Sequence, residues 1–293
     1  MKTVPLKPAL TAAIHAARTA GIVMRDNWHA PKRVNATDAH DIKLELDVRS
    51  QKLIEKILRK AFPQIPLLGE EGVSGPSSRR FDAASIVNAE YRWVVDPIDG
   101  TVNYAFGIPH AAVSIALQKR DKRQVAGDKS SSRSRARNPI TCHPSHVTLL
   151  GVIYGPFTNE LWTAVRGGPT RLNGRVVHVS RRRNLNEAVV AMGFSKSKQN
   201  LAKSLPHLIR LSRRTLKIRI MGSAALELAY VATGRLDAYI ERTINLWDIA
   251  AGGLMVECSG GEFYTRPAPG EKFRMCASNG KLRKKLQLDH LLK

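Results

Sequence analysis

The stretch that most constrains this chain is Arg92 to Tyr104, RWVVDPIDGTVNY. Its apolar run Trp93-Val94-Val95 reads as a strand, Pro97 fixes the first corner of a turn, and Gly100 releases the chain into a helix start at Thr101. Asp96 and Asp99 stand on either side of that turn, so both carboxylates can face one point, and the Ile98 carbonyl can face it too. An all-oxygen cluster of this kind suits a hard divalent cation such as Mg²⁺. The N–H groups of Gly100 and Thr101 would face an anion beside it. An Asp-rich surface turn uses the same dipeptides, so the decision falls to the rest of the chain.

A chain of 293 residues with 43% apolar content can bury a full core as one large domain or two lobes. One domain spanning 1–293 is expected, with a metal-site lobe over about 1–183 and an α/β lobe over 184–293. No apolar run approaches the ~20 residues of a membrane span. The first residues lack the compact apolar core of a signal peptide, and Leu10, Ile14, Ala17 and Gly21 fall at helical spacing, so a cytoplasmic protein without a membrane anchor is expected. Cys142, Cys258 and Cys276 form no CxxC pair, which leaves no disulfide framework and no zinc pattern. The net charge of +23 is the unusual feature: such a field draws in phosphorylated small molecules and nucleic acid alike. Against that background converging acidic side chains are informative, because carboxylates that cluster without a cation repel one another.

Along the chain, Trp28 to His40 reads as a loop or short hairpin. Leu53, Ile54, Ile57 and Leu58 then give one face of a helix that Pro63 terminates, with Asp47 at its beginning as an N-cap or as a functional carboxylate. Ile65 to Leu68 is strand-like and leads into Gly69-Glu70-Glu71-Gly72, either a solvated loop or a second place where acids leave a strand end. Ala111 to Gln118 and Val147 to Tyr154 read as neighbouring antiparallel strands. Between them lies a Ser/Arg/Lys-rich insertion at about 119–146, expected to be mobile, which reads as a solvated segment or as an arm for anions or RNA. Asn173-Gly174 is a hairpin turn, and from Ala188 strands and helices alternate. There the Gly222-Ser223-Ala224 turn precedes a helix, Glu241 ends a strand at the carboxyl edge of the sheet, and Trp247-Asp248 opens the helix DIAAGGLMVEC. Asp248 is either that helix's N-cap or a carboxylate aimed into the same cleft.

Taken together, GEEG at 69–72, WVVDPIDGTVNY at 93–104, MGSAA at 221–225 and LWDIAAG at 246–252 resemble the Mg²⁺-dependent, lithium-sensitive inositol monophosphatase family over nearly the whole chain. The resemblance implies a layered α/β/α/β/α sandwich, usually dimeric, in the wider fructose-bisphosphatase class. It implies that Glu70, Asp96 and the Ile98 carbonyl hold one metal, and that Asp96, Asp99 and Asp248 hold a second. Thr101 and Asp47 would orient and deprotonate the attacking water. Gly100 and Thr101 would bind phosphate oxygens through their N–H groups, while Gly222, Ser223, Ala224 and Glu241 would contact the alcohol part of the substrate. The implied reaction is Mg²⁺-dependent hydrolysis of inositol 1-phosphate or a related polyol or sugar phosphate.

Related proteins that share such a metal site act on fructose 1,6-bisphosphate, on nucleoside bisphosphates or on histidinol phosphate. Val102-Asn103-Tyr104 after DPIDGT looks more like the inositol monophosphatases, and Glu241 suits a polyol because a carboxylate accepts hydrogen bonds from adjacent hydroxyls. Two features depart from the family pattern: the Asp41 to Asp47 segment, DIKLELD, has no threonine ahead of Asp47, and the basic insertion is atypical. The charge and the insertion also fit a different class, an RNA- or transcription-complex-binding factor with secondary phosphatase activity.

Overall fold

The computed structural model describes residues 3–38, 41–72, 83–121, 146–194, 198–270 and 272–286. Most of the basic insertion, residues 122–145, lies outside the described residues.

Two helices open the chain, α1 (Leu6–Asp26) and α2 (Glu45–Ala61), with the hairpin β1 (Val34–Asp38) and β2 (Asp41–Leu44) between them. α1 buries Ala9, Ala13, Ala16, Ala17, Ala20 and Met24, a small-residue face that lets it lie close on a sheet. That sheet has seven strands in sequential order: β3 (Leu67–Gly69), β4 (Tyr91–Asp99), β5 (Ala112–Arg120), β6 (His146–Gly155), β7 (Glu160–Val165), β8 (Arg171–Leu172) and β9 (Arg175–Val176). Only β3 and β4 pair in parallel. The turn between β8 and β9 has φ of 47° at Asn173 and 83° at Gly174, the positive pair that suits an Asn-Gly hairpin. Short helices α3 (Ala83–Asn88) and α4 (Thr101–Ala105) flank β4.

The second sheet has five strands, built from β10 (Val189–Met192), β11 (Lys217–Arg219), β12 (Ala238–Ile244), β13 (Glu262–Ala268) and β14 (Lys272–Ser278), in the order β11-β10-β12-β14-β13. β10 runs parallel to both its neighbours, and β14 runs antiparallel to both of its own. Its connections supply α5 (Lys198–Ser212), α6 (Ala224–Ala232) and α7 (Leu246–Cys258), and α8 (Arg283–Leu286) follows its last strand.

Three cores stack these elements into five layers. Trp93, Val95, Ile115 and Leu150 face α1 and α2, whereas Val94, Ala116, Ile153 and Trp162 point the other way, onto α6 and α7. The far side of α6 and α7 rests on Tyr239, Met275 and Ala277 of the five-stranded sheet. That sheet's other face packs Val190, Ala238 and Ile240 against Leu211, Leu282 and Leu286. The layered α/β/α/β/α sandwich expected from the sequence is therefore the fold. α7 fits between two sheets because it is small in the middle: a Cβ on Gly252 would stand 2.5 Å from the Leu228 side chain, and one on Gly253 would stand 2.4 Å from the Phe263 ring. No helix among the described residues is long and apolar enough to cross a membrane.

Three local expectations need correction. β4 does not end at Asp96: it continues to Asp99 through a bulge, because pairing with β5 is favourable on both sides of Pro97. β12 likewise continues past Glu241 to Ile244, with a register irregularity between them. α7 opens at Leu246 with Asn245 as its N-cap, so Asp248 is the third helical residue and not the cap, and α2 places Asp47 in the same position behind Leu44.

Candidate active site

The bulge in β4 is what brings the first two carboxylates together. Asp96 pairs with Ser114 and Asp99 with Ala112, so three residue steps on β4 match two on β5. In a regular strand, residues three apart point to opposite faces; the extra residue puts Asp96 and Asp99 on the same one. That face meets α7. Asp248, from its first turn, completes a group of three carboxylates whose ligand atoms all lie within 4.8 Å of one another.

Each of the three is anchored by backbone donors. Asp96 Oδ1 accepts the Ile98 N–H at 3.0 Å, and Asp248 Oδ2 accepts the Asn245 N–H at 2.9 Å. Asp99 sits on the N-terminus of α6, accepting the Ala224 N–H at 3.1 Å, the Ala225 N–H at 2.8 Å and the Ser223 hydroxyl. It thus takes the role that a capping side chain usually has within its own helix. These bonds do not offset burial and mutual repulsion. Burial, and after it the charges of Glu70, Asp99 and Asp248, raise Asp96 well above the usual carboxylate range. Asp248 is pushed up to about 7 by burial and by Asp99, and Asp99 to about 6 by burial, with its hydrogen bonds acting in the opposite direction.

Glu70 reaches this group from β3, whose parallel pairing sets Gly69 opposite Val95 and so brings the next residue beside Asp96. Its N–H donates to the Val95 carbonyl at 3.2 Å, and its carboxyl hydrogen-bonds Asp96. The Glu70-Glu71 pair is held by a residue that the sequence reading did not single out. Gln51, buried in α2, accepts the Glu71 N–H at 3.0 Å and donates to the Gly72 carbonyl at 2.9 Å. A Cβ on Gly69 would stand 2.1 Å from Gln51 Oε1, so only glycine admits this clamp. The available signal was spacing: Gln51 lies one helical turn after Asp47, on the same face of α2.

Asp47 is buried, and its Oδ2 accepts the Leu44 N–H at 2.7 Å. Burial, helped by the charges of Glu70 and Glu71, pushes it up to about 8. Thr101 Oγ1 stands 3.5 Å from Asp47 Oδ1 and 2.8 Å from the Ile98 carbonyl, so one hydroxyl joins α2 to the bulge. Gly100 precedes it with φ of 92°, as the N-cap of α4. Asn103, one turn into α4, donates to the carbonyls of His110 at 2.9 Å, Met221 at 2.8 Å and Gly222 at 3.3 Å. That amide fixes the Gly222 turn, with φ of 77°, beside Gly100, and sequence reading had used Asn103 only as a family mark.

The remaining expected residue, Glu241, lies where β10 stops. Gly193, just past the last β10 residue, donates its N–H to the Ile240 carbonyl at 3.0 Å, which leaves Glu241 at the carboxyl end of this parallel pair. Tyr239 donates its hydroxyl to Glu241 Oε2, and buried Glu227 lies close by, its Oε1 accepting the Met221 N–H at 3.2 Å. The structure therefore gathers Asp47, Glu70, Asp96, Ile98, Asp99, Gly100, Thr101 and Asp248 at one seam, with Gly222 to Ala224 adjoining through Asn103 and Asp99. Glu241 stands at the edge of the neighbouring sheet.

Two sheets enclosing a helical layer, with buried carboxylates meeting at helix N-termini, define an α/β protein with an acidic centre suited to a metal. Sequence comparison gives the class a narrower identity: a model of the inositol monophosphatase family matches residues 6–127 and 142–287, and the chain belongs to that family. The Nus factor SuhB of Salmonella typhimurium is 34% identical over 259 residues, covering 87% of this chain and 84% of that one. Among solved structures, the extragenic suppressor protein suhB of Bartonella henselae superposes with a TM-score of 0.77 at 31% identity, covering 97% of each chain. The inositol monophosphatase from Anabaena gives a TM-score of 0.73 at 29% identity, covering 98% of this chain and 96% of that one. The family is one of metal-dependent phosphatases, and the carboxylate group here has the composition to hold a metal.

Proposed function

We propose that this chain is a Mg²⁺-dependent phosphomonoesterase that hydrolyses inositol 1-phosphate or a related polyol phosphate to the alcohol and inorganic phosphate. The observation that carries the reading is the oxygen-only group Asp96, Asp99 and Asp248, the first two buried and the third half-buried, mutually repelling, with Asp99 immediately before the Gly100-Thr101 helix start. Oxygen donors without sulfur or imidazole fit a hard cation, and uncompensated carboxylates are what such a cation stabilises. Glu70, Asp96 and the Ile98 carbonyl would hold one Mg²⁺, and Asp96, Asp99 and Asp248 a second. When bound, such ions supply Lewis acidity to the attacking water and to the departing alkoxide.

The chain's own groups do the rest. Thr101 Oγ1, 2.8 Å from the Ile98 carbonyl and 3.5 Å from Asp47 Oδ1, would take a proton from the attacking water as its own hydroxyl proton passes to an ionised Asp47. The N–H groups of Gly100 and Thr101 orient the phosphate oxygens. The Gly222 to Ala224 turn and Glu241 bind the alcohol part, whose hydroxyls find an acceptor in the Glu241 carboxylate. The positive field of the whole chain favours entry of a dianion. A cytoplasmic homodimer belongs to the same proposal and is checked by cell fractionation and light scattering.

The test is phosphate release from inositol 1-phosphate, fructose 1,6-bisphosphate, histidinol phosphate and adenosine 3′,5′-bisphosphate, with and without Mg²⁺ and with Li⁺ added. Mg²⁺-dependent turnover favouring the inositol ester supports the proposal. Preference for another ester moves the substrate, and no turnover on any of them removes the reading.

A second reading is supported by the relatives carrying the name Nus factor and by the +23 charge: the chain acts in a transcription complex by binding RNA, with phosphatase activity secondary. RNA affinity that falls steeply with salt and is lost on deleting residues 122–144 would support it. Salt-insensitive or absent binding would dismiss it.

A further inference from the structure

Glu241 is held from several sides, and the groups that hold it have no part in the reaction described above. Tyr239, two residues earlier on β12 and 1% exposed, donates its hydroxyl to Glu241 Oε2. Glu227, on α6 and also 1% exposed, is hydrogen-bonded to the same Tyr239 and accepts the Met221 N–H at 3.2 Å. On the remaining side a Cβ at Gly193 would stand 1.9 Å from Glu241 Oε2 and 2.4 Å from its Cδ, so the carboxylate occupies space that any other residue would fill. We propose that Glu227, Tyr239 and Gly193 are positioning residues that fix the Glu241 carboxylate, and with it the Met221-Gly222 turn, for reading the hydroxyl groups of the substrate's alcohol part.

Proton counting gives the set a direction. A phenol carries one O–H, and Tyr239 gives it to Glu241. The same proton cannot also serve Glu227, so Tyr239 is shared between two carboxyls and engages both fully only when one of them carries a proton of its own. Burial, and after it the charge of Glu241, raises Glu227 well above the usual carboxylate range, with the Met221 N–H and the Tyr239 hydroxyl acting the other way. Burial thus favours Glu227 as the carboxyl of the two that carries a proton and leaves Glu241 as the acceptor offered to ligand hydroxyls. Glu227 Oε1 also holds the Met221 N–H, and the Met221 carbonyl receives Asn103. Both elements assigned to the alcohol part hang from one buried carboxyl.

This inference rests on the phosphatase reading, and the test separates the two. The full-length protein is assayed with inositol 1-phosphate and with 4-nitrophenyl phosphate, whose leaving group carries no additional hydroxyl. Tyr239→Phe is expected to raise KM for inositol 1-phosphate by about tenfold, the loss of a hydrogen bond to a charged group, while KM for 4-nitrophenyl phosphate stays within about twofold. Glu227→Ala is expected to do the same. Glu227→Gln, whose amide can still accept from Met221 and donate to Tyr239, is expected to restore KM to within about twofold of wild type. If Tyr239→Phe does not fold, Gly193→Ala displaces the same carboxylate from the backbone side and is expected to show the same substrate-selective loss. Equal losses on both substrates would make the set a purely structural network and overturn the proposal, as would no loss on either or a Glu227→Gln variant that behaves like Glu227→Ala. Wild-type protein that turns over neither substrate would overturn the phosphatase reading itself, and this inference with it.

Discussion

Gly100→Ala is the substitution for which the site's geometry gives the sharpest expectation. Gly100 has φ of 92°, in the left-handed region where an L side chain costs about 1–2 kcal/mol. A Cβ there would lie 2.9 Å from the His110 carbonyl oxygen, 3.2 Å from the Gly222 oxygen and 3.3 Å from Ala111 Cα, all backbone atoms that cannot turn aside. The two oxygens are also acceptors for Asn103 Nδ2, so relieving the contact loosens the amide that ties α4 to the Gly222 turn. Strain and overpacking together should cost about 2–4 kcal/mol, read as a lower urea midpoint with an unchanged m-value. The displaced Gly100 and Thr101 N–H groups should lower kcat/KM for phosphate release by about 10²-fold. Gly107→Ala is the control: its φ is 72°, but a Cβ there meets nothing within 4 Å. It should cost only about 1 kcal/mol and leave turnover intact. A Gly100→Ala protein no less stable than Gly107→Ala, or one with full turnover, would refute the argument.

Three further outcomes are expected. Asp96→Asn should lower turnover by about 10²–10³-fold with the fold retained; in chelator its melting temperature should be no lower than wild type, since a repelling buried carboxylate is gone, and Mg²⁺ should no longer raise it. Undiminished activity would sink the site assignment. Gln51→Ala should release the Glu70 loop and raise the Mg²⁺ concentration for half-maximal activity about tenfold while kcat at saturating Mg²⁺ holds; an unchanged Mg²⁺ titration would show that the clamp is irrelevant to the metal. Glu160 is lowered from 4.5, first by its hydrogen bond to Arg235, so its contribution is present at neutral pH and lost as pH falls through the lowered value. Because the pair is part-exposed, Glu160→Gln should cost less than about 1 kcal/mol at pH 7 and nothing once the carboxyl is protonated; a larger loss at acid pH than at neutral pH would contradict the pairing.

Much of this site was legible in the sequence because its residues come as short runs at element boundaries. A strand-turn-helix string fixes where Asp96, Asp99 and Thr101 stand relative to one another, while the five layers were legible only through the family resemblance. The bulge was less legible: Pro97 and Gly100 announce a turn, but only pairing with Ser114 and Ala112 decides whether the strand continues through it. For the same reason Glu241 looked like a strand end, since Arg242-Thr243-Ile244 carries no breaker and its pairing with β14 is a long-range fact. Gln51 and Asn103 were missed as functional supports because their partners lie far off in the chain, Asn103 binding Met221 from 118 residues away; Glu227 was missed although it holds Met221 only six residues earlier, because it lies within an apolar helix. A polar residue on an apolar helix face marks such a contact, though not what it touches.

The acidic centre and the basic chain are two parts of one electrostatic arrangement. A buried carboxylate group destabilises the fold unless something offsets it, and the protein offers only partial relief: helix N-termini hold Asp99, and backbone N–H groups at the first turns of α2 and α7 hold Asp47 and Asp248. Burial and repulsion still dominate, since Asp47, Asp96, Asp99 and Asp248 all remain raised. Moving a lysine into the group would neutralise it and close it to anything from solution. Leaving it short of positive charge keeps room for a cation, and setting Gly100 and Thr101 beside it adds neutral N–H donors that a phosphate can use without competing for that cation. On the phosphatase reading the excess of Lys and Arg would act at a distance, raising the local concentration of anionic esters and not the occupancy of the carboxylates. It follows that added salt should raise KM for a dianionic ester more than it lowers kcat, and a kcat that falls with KM unchanged would place the basic charge in the chemistry and not in the approach.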